Sequence, residues 1–207
     1  CFAVFFAVPA GIFAAYRAGK ATDKIITTLT FAFLAAPSFI IAIILAFIFA
    51  VTLNWFPATG YVPLSEGLYS NLRSFFLPAL ALALIEWPIL SRVLRNDLIE
   101  TLQEDFILLA KAKGLSYGYI LIRHALRPSS FTLITIVGIQ LGNLISGAVI
   151  VESIFALPGI GTLLVASIHA REILMVQGII VIMAIAYVMI NLIVDILYGA
   201  LDPRIRQ

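Results

Sequence analysis

The sequence predicts an all-α, polytopic membrane protein with five membrane-crossing helices. Three observations carry that expectation: an extreme apolar composition, five long apolar runs, and Lys and Arg gathered on alternate sides of those runs. Of the 207 residues, 62% are hydrophobic and 12% charged. A typical soluble domain has roughly 45–50% and about 25%. So apolar a chain cannot clothe itself in polar surface, and over most of its length its solvent is lipid.

A span needs about 20 mostly apolar residues. The first run, 1–16, is short; the chain begins inside it at Cys1, without an initiator Met or a charged leader. That is not how a signal peptide opens, and it reads as a longer chain whose N-terminal part is missing. The second run, 25–53, contains Pro37 and is followed by Trp55, Phe56 and Tyr61, an aromatic edge of the kind found at membrane interfaces. The third, 75–95, contains Glu86, Trp87 and Pro88. Each proline frees a backbone carbonyl that a neighbour or a wet cavity must satisfy, so each marks a packing kink or a flexible, pathway-lining segment. The fourth run, 129–151, sets Gly138, Gly142 and Ser146 four residues apart, a small-residue face suited to close helix approach in a bundle or a dimer. The fifth, 173–200, is apolar apart from Asn191 and Asp195 and has Tyr198 near its end, as the first has Tyr16.

Between the runs lie 17–24, 54–74, 96–128 and 152–172. Of the 13 Lys and Arg, Arg17, Lys20, Lys24, Arg92, Arg95, Lys111, Lys113, Arg123, Arg127, Arg204 and Arg206 fall on one side of the resulting zigzag. Only Arg73 and Arg171 fall on the other. This asymmetry makes the first side, and the C-terminus with it, cytoplasmic.

Polar residues inside spans are the candidates for function. An ionised group at mid-bilayer costs about 2.5–3.5 kcal/mol on insertion scales, so it faces protein or water. Glu86 is read as a pathway-lining group or as half of a structural pair. Gln140, Asn143 and Asn191 are read as pathway or interhelical polar groups, and Asp195, nearer the cytoplasmic edge, as the partner of an Arg or Lys.

Several chemistries find no support. One cysteine, Cys1, makes neither an internal disulfide nor a multi-cysteine metal site. Gly19-Lys20 resembles the end of a phosphate-cradling loop, but Ala14 stands for the first Gly and Ala21 for the Ser/Thr, so ATP hydrolysis by this chain is not expected. His124 and His169 fall on opposite sides of the predicted membrane, which rules out a shared metal site. No nucleophile–base set is visible, and topology accounts for the basic residues, leaving nothing for nucleic-acid binding to explain.

The loop 96–128 is too organised to be a mere connector. Thr101 followed by Glu104 reads as a capping box, Glu104 and Asp105 as acids of a first turn, Lys111 and Lys113 as bases of a last turn, and Gly114 as a stop. Leu102, Phe106, Leu109 and Ala110 recur at helical spacing as one apolar stripe. Tyr119 to Leu126 reads as a further helix leading into the fourth span. Such a loop helix lies on the membrane, packs on its own bundle, or docks into a groove on a soluble partner. The small Ala110 and Ala112 beside Gly114 permit close backbone approach, which tilts the choice toward docking.

Ala110-Lys111-Ala112-Lys113-Gly114-Leu115-Ser116 followed by Leu121-Ile122-Arg123-His124-Ala125-Leu126-Arg127 resembles the permeases of ABC importers for dipeptides, oligopeptides and nickel, and in particular the first of their two paired permeases. The resemblance extends to Pro37-Ser38-Phe39, to Trp55-Phe56-Pro57-Ala58-Thr59-Gly60-Tyr61, to Val151-Glu152-Ser153-Ile154-Phe155-Ala156-Leu157-Pro158-Gly159-Ile160-Gly161 and to Asp202-Pro203-Arg204-Ile205-Arg206. It covers nearly the whole chain. The wider importer consensus of Glu-Ala-Ala, three residues and Gly would place Leu108, Leu109 and Ala110 before Gly114; only the last Ala and the Gly match. Pro128 also lies one place beyond the consensus proline. The departure points to the peptide subgroup and leaves no carboxylate at position 108.

The resemblance implies a single transmembrane domain over 1–207 with the type I ABC importer permease fold, six spans in a full subunit, and a bacterial or archaeal cytoplasmic membrane. It implies four kinds of partner: a second homologous permease, two ATP-binding subunits, an extracytoplasmic substrate-binding protein and the lipid bilayer. ATP and Mg would be used by the partner ATPases, with no cofactor on this chain. Glu104, Asp105, Phe106, Leu109, Ala110, Lys111, Ala112, Lys113, Gly114 and Leu115, within a coupling helix over 102–115, would meet the ATPase. Pro158, Gly159 and Gly161 would lie where the binding protein docks. The implied cargo is a short peptide; nickel, glutathione or another small solute is the alternative within the family. A secondary transporter, which needs no ATPase, is the rival outside it.

Overall fold

The structure, a computed structural model, describes residues 1–201 except the side chains of Ile145, Ser146, Leu197, Tyr198, Ala200 and Leu201. The Asp202–Arg206 motif and the side chains of Ser146 and Tyr198 thus lie outside the described residues. Within them the chain is helical, with no strand: α1 (Phe2–Tyr16), α2 (Ala21–Ala35), α3 (Ser38–Leu45), α4 (Leu68–Thr101), α5 (Asp105–Ala112), α6 (Tyr117–Tyr119), α7 (Leu126–Phe155), α8 (Ile160–His169) and α9 (Ile173–Leu201). Wider π-turns extend α3 over Ala46–Thr52 and join α6 to α7 over Ile120–Ala125.

Among the described residues, two helices can each cross a membrane by length and composition, α4 and the Ile173–Ile196 part of α9; the number rises to four if each of two bent helix pairs is one span. The second predicted span is one of these pairs. Proline has no N–H to continue a helix and disfavours helical backbone in the residue before it. Accordingly α2 stops at Ala35, Pro37 is extended at φ −58° and ψ 139°, and α3 begins at Ser38.

The described chain forms two compact units, each assembled from separate stretches. The first comprises 1–35, 86–139 and the residues from 194 on; the second comprises 36–85 and 140–193. The chain passes between them at 35/36, 85/86, 139/140 and 193/194, and each passage falls inside one of the apolar runs 25–53, 75–95, 129–151 and 173–200. Both loops expected on the cytoplasmic side belong to the first unit, and both expected outside belong to the second.

In the first unit, Leu90, Leu94 and Leu98 recur every four residues on α4 and are fully buried with Ile107 and Ile120. α1 comes close through small residues: a Cβ on Gly11 would lie 3.0 Å from the Ser91 carbonyl oxygen and 3.1 Å from Leu94 Cδ2. In lipid, apolar burial gives little drive for helix association, so such close packing and polar contacts carry it. The main polar contact is between α2 and α4. Arg95 Nε and Nη2 donate to the two Asp23 carboxylate oxygens at 2.6 and 2.7 Å, and the Gly19 N–H donates to the same carboxylate at 2.8 Å.

In the second unit, the segment after α3 folds onto the start of α4. Phe56 stacks on Phe76 at 4.6 Å, Tyr61 meets Phe75 edge-on at 5.5 Å, and Asn71 Nδ2 donates to the Val62 carbonyl at 2.6 Å. Arg73, one of the two cations expected outside, donates through Nε to the Trp55 carbonyl at 2.9 Å. The small face of α7 is taken up within the chain by α9. A Cβ on Gly142 would lie 2.9 Å from the Tyr187 ring and 3.2 Å from Asn191 Oδ1; in the first unit, one on Gly138 would overlap the Val194 side chain. Of the two expectations for this face, bundle and dimer, the bundle accounts for both glycines.

Candidate functional site in the loop helix and the glycine turn

The loop helix forms, with a different start. Thr101 is the last residue of α4, and its hydroxyl meets that of Ser129 at 3.2 Å. Thr101 thus lies before the turn that precedes α5 and is not its N-cap, so the expected Thr101–Glu104 box is absent. Glu104 is itself the extended N-cap of α5, at φ −66° and ψ 149°, and makes no side-chain cap bond. The helix therefore covers 105–112 rather than 102–115. Asp105 remains in the first turn and Lys111 in the last, both favourable to the helix dipole.

The stop is as expected. Gly114 has φ +78°, its N–H donates to Lys111, and the Leu115 N–H reaches back to the Ala110 carbonyl at 3.3 Å. These two bonds, five-to-two and six-to-one, are the Schellman arrangement, in which glycine takes the left-handed position at least cost. Leu115 thus serves the helix end through its backbone.

The predicted stripe divides. Leu102 and Ala110 are buried, but Phe106 and Leu109 are 46% and 65% exposed. The anchor is Ile107, fully buried with Ala110 against the Ile120–Ala125 π-turn. Leu102 drops out because α5 starts after it, and Ile107 was missed because it stands in an almost unbroken apolar run, Phe106–Ala110, where spacing gives no phase. The outcome is a short helix fixed by one face to its own unit, while Phe106, Leu108 and Leu109 stand exposed with Lys111, Ala112 and Lys113.

The polar groups of the spans are dispersed. Glu86, on α4 of the first unit, is buried and precedes Trp87, whose ring meets Phe33 edge-on at 5.6 Å. In the second unit Asn143 Nδ2 donates to Gln140 Oε1 at 2.9 Å, one turn away on the same helix, and Asn191 faces Gly142. Asp195 is exposed and makes no salt bridge among the described residues, where the salt bridge found is Asp23–Arg95. That pair was not anticipated, since 72 residues separate its members.

The glycine turn between α7 and α8 is organised around Glu152, which sequence reasoning did not single out. α7 ends at Phe155; Ala156 turns left-handed at φ +50°, and the Leu157 N–H returns to the Glu152 carbonyl at 2.9 Å. The Glu152 side chain reaches across to the start of α8, where Oε2 accepts the N–H groups of Gly161 at 2.8 Å and Thr162 at 3.2 Å. A Cβ on Gly159 would overlap that carboxylate, and one on Gly161 would lie 2.5 Å from Val149 Cα. The Gly159 N–H donates to the Thr162 hydroxyl at 3.0 Å, and the Gly60 N–H ties the 54–74 loop to the Phe155 carbonyl at 3.0 Å. Of the three expected docking residues only Pro158 is exposed; Gly159 is half-buried and Gly161 buried. The glycines make room, and the outward residues are Ala156, Pro158 and Ile160.

All-helical over the described residues, with helices long and apolar enough to cross a membrane, the chain falls in the class of helical membrane proteins. The chain belongs to the family of binding-protein-dependent transport system inner membrane components, whose profile matches residues 7–207. It is 41% identical over 196 residues, 95% of this chain and 62% of the relative, to a Brucella abortus (strain 2308) protein named provisionally as a peptide transport system permease. It is 35% identical to the di/tripeptide transport system permease protein of Pseudomonas aeruginosa (strain UCBPP-PA14), covering all of this chain and 67% of that one. It is 32% identical to the glutathione transport system permease protein of Escherichia coli (strain K12), covering 99% and 64%. The chain thus spans about two thirds of the length of the curated relatives it matches.

Proposed function

We propose that this chain is a permease subunit of an ATP-driven importer of short peptides, lying in a bacterial or archaeal cytoplasmic membrane with its C-terminus inside. It contributes half of a translocation pathway, and a second homologous permease contributes the rest. Two ATP-binding subunits hydrolyse ATP, using Mg, and a binding protein delivers substrate from outside. The five-span reading, 1–16, 25–53, 75–95, 129–151 and 173–200 within one transmembrane domain over 1–207, belongs to this proposal. Its support is the passage between units inside four of those runs.

The observation that carries the coupling role is the two-faced α5. A helix that transmits force needs a rigid root and a free gripping face. Ile107, Ala110 and the Gly114 stop supply the root; Phe106, Leu108, Leu109 and Ala112, flanked by Lys111 and Lys113, supply the face. Glu104 and Asp105 add acids at the opposite end of the helix. ATP binding draws the ATPases together and carries the two coupling helices with them, switching the pathway from inward-open to outward-open. Driving such a balance from 1:99 to 99:1 takes about 5.5 kcal/mol of differential binding.

A cysteine at exposed Ala112 tests the coupling role. It should cross-link to the ATP-binding subunit in the assembled transporter, and failure to cross-link from every exposed α5 position would reject the role. The relative named for glutathione, itself a tripeptide, favours one second reading of the cargo. Uptake of labelled dipeptide and of glutathione by a deletion strain separates the two.

A further inference from the structure

We infer that Glu152 is a positioning residue for binding-protein recognition: its carboxylate sets the shape of the α7–α8 turn without touching the partner. This rests on the docking reading of that turn. An acid in the last turn of a helix opposes the helix dipole, whereas one at the start of a helix is favoured. Glu152 belongs to the end of α7 by sequence but spends its charge on the start of α8, where two N–H groups would otherwise lack partners. Three further features fit that use. Gly159 leaves the space that the carboxylate fills, Gly161 lets α8 approach Val149, and the Glu152 carbonyl closes α7 by accepting the Leu157 N–H. Glu152 is only partly exposed, while Pro158 and Ile160 on the turn it braces face outward. The acceptor, the room and the reversal together hold these two residues in one presentation.

Both N–H groups donate to the same oxygen, Oε2. A glutamine keeps one such acceptor and loses the charge; an alanine loses both. The test titrates the binding protein against ATPase rate in proteoliposomes holding the complete transporter. For Glu152→Ala, the half-saturating concentration of binding protein should rise about tenfold while the rate at saturation holds, since a loosened turn must be reordered at each encounter. Glu152→Gln, which keeps the acceptor and loses the charge, should fall between wild type and Glu152→Ala, and Ile160→Arg, on the outward face, should raise the half-saturating concentration as well.

If Ile160→Arg shifts it and Glu152→Ala does not, the positioning role falls and the docking reading stands. If neither shifts it, the docking reading falls, and the inference with it. A Glu152→Gln as impaired as Glu152→Ala would overturn the hydrogen-bond role. Should Glu152→Ala fail to assemble, Gly159→Ala, which displaces the carboxylate, takes its place: a raised half-saturating concentration supports the inference and an unchanged one overturns it.

Discussion

Asp23 and Arg95 form a bidentate pair between α2 and α4, with the Asp23 side chain 6% and the Arg95 side chain 24% exposed. Removing one partner strands a charge in a poorly solvated place, at a cost of roughly 3 kcal/mol, the low end for buried pairs because Arg95 keeps some solvent. We therefore expect Asp23→Ala to lower the unfolding free energy of the subunit in detergent by about that much. The double variant with Arg95→Ala should be less harmful than the two single losses added together, and strict additivity in this cycle would show that the pair is not coupled. The topology reading had used Arg95 only as a charge label and had not singled out Asp23. A contact between positions 23 and 95 leaves no periodic trace, and neither does the reach of Glu152 over α8. Gly159 and Gly161 were legible as special positions, but the sequence could not tell a glycine that touches a partner from one that makes room for a carboxylate.

Among the elements, α5 was read as a loop helix with the stop the structure shows and a different start. Its stop followed from Gly114, because a left-handed residue after a basic last turn is a local signal. Its start did not, because α4 runs on to Thr101 and α5 begins only after the turn at 102–104. In the same way Pro37 announced a break in the second run, while burial of Ile107 depended on the π-turn it meets. The two faces of α5 predict opposite phenotypes. Ile107→Ala should destabilise the subunit by about 2–5 kcal/mol, the usual cost of emptying a buried aliphatic site. Leu109→Asp, 65% exposed, should change stability by no more than about 0.5 kcal/mol and abolish ATPase association. Thermal unfolding in detergent reads the first and co-purification the second. A Leu109→Asp subunit that still retains its ATPases would reassign this face.

At the scale of the whole chain, hydropathy and charge carried the reading furthest, because lipid imposes one rule on every backbone group that enters it. The described cations Arg17, Lys20, Lys24, Arg92, Arg95, Lys111, Lys113, Arg123 and Arg127 all belong to the first unit, and Arg73 and Arg171 to the second. Sorting by contact and sorting by charge thus divide the loops in the same way, though the two rest on unrelated physics. What the sequence left open is which polar residues meet substrate: Glu86 belongs to one unit, and Gln140, Asn143 and Asn191 to the other.

In the proposed function, α5 works on the cytoplasmic side as the handle of an ATPase. Labelling Ala112→Cys, in a cysteine-free background, with a membrane-impermeant maleimide tests it most directly. The cysteine should be silent in intact cells, should react in inverted vesicles stripped of ATPase, and should be shielded again when the ATPase is restored. Labelling from outside intact cells would contradict both the orientation and the coupling role.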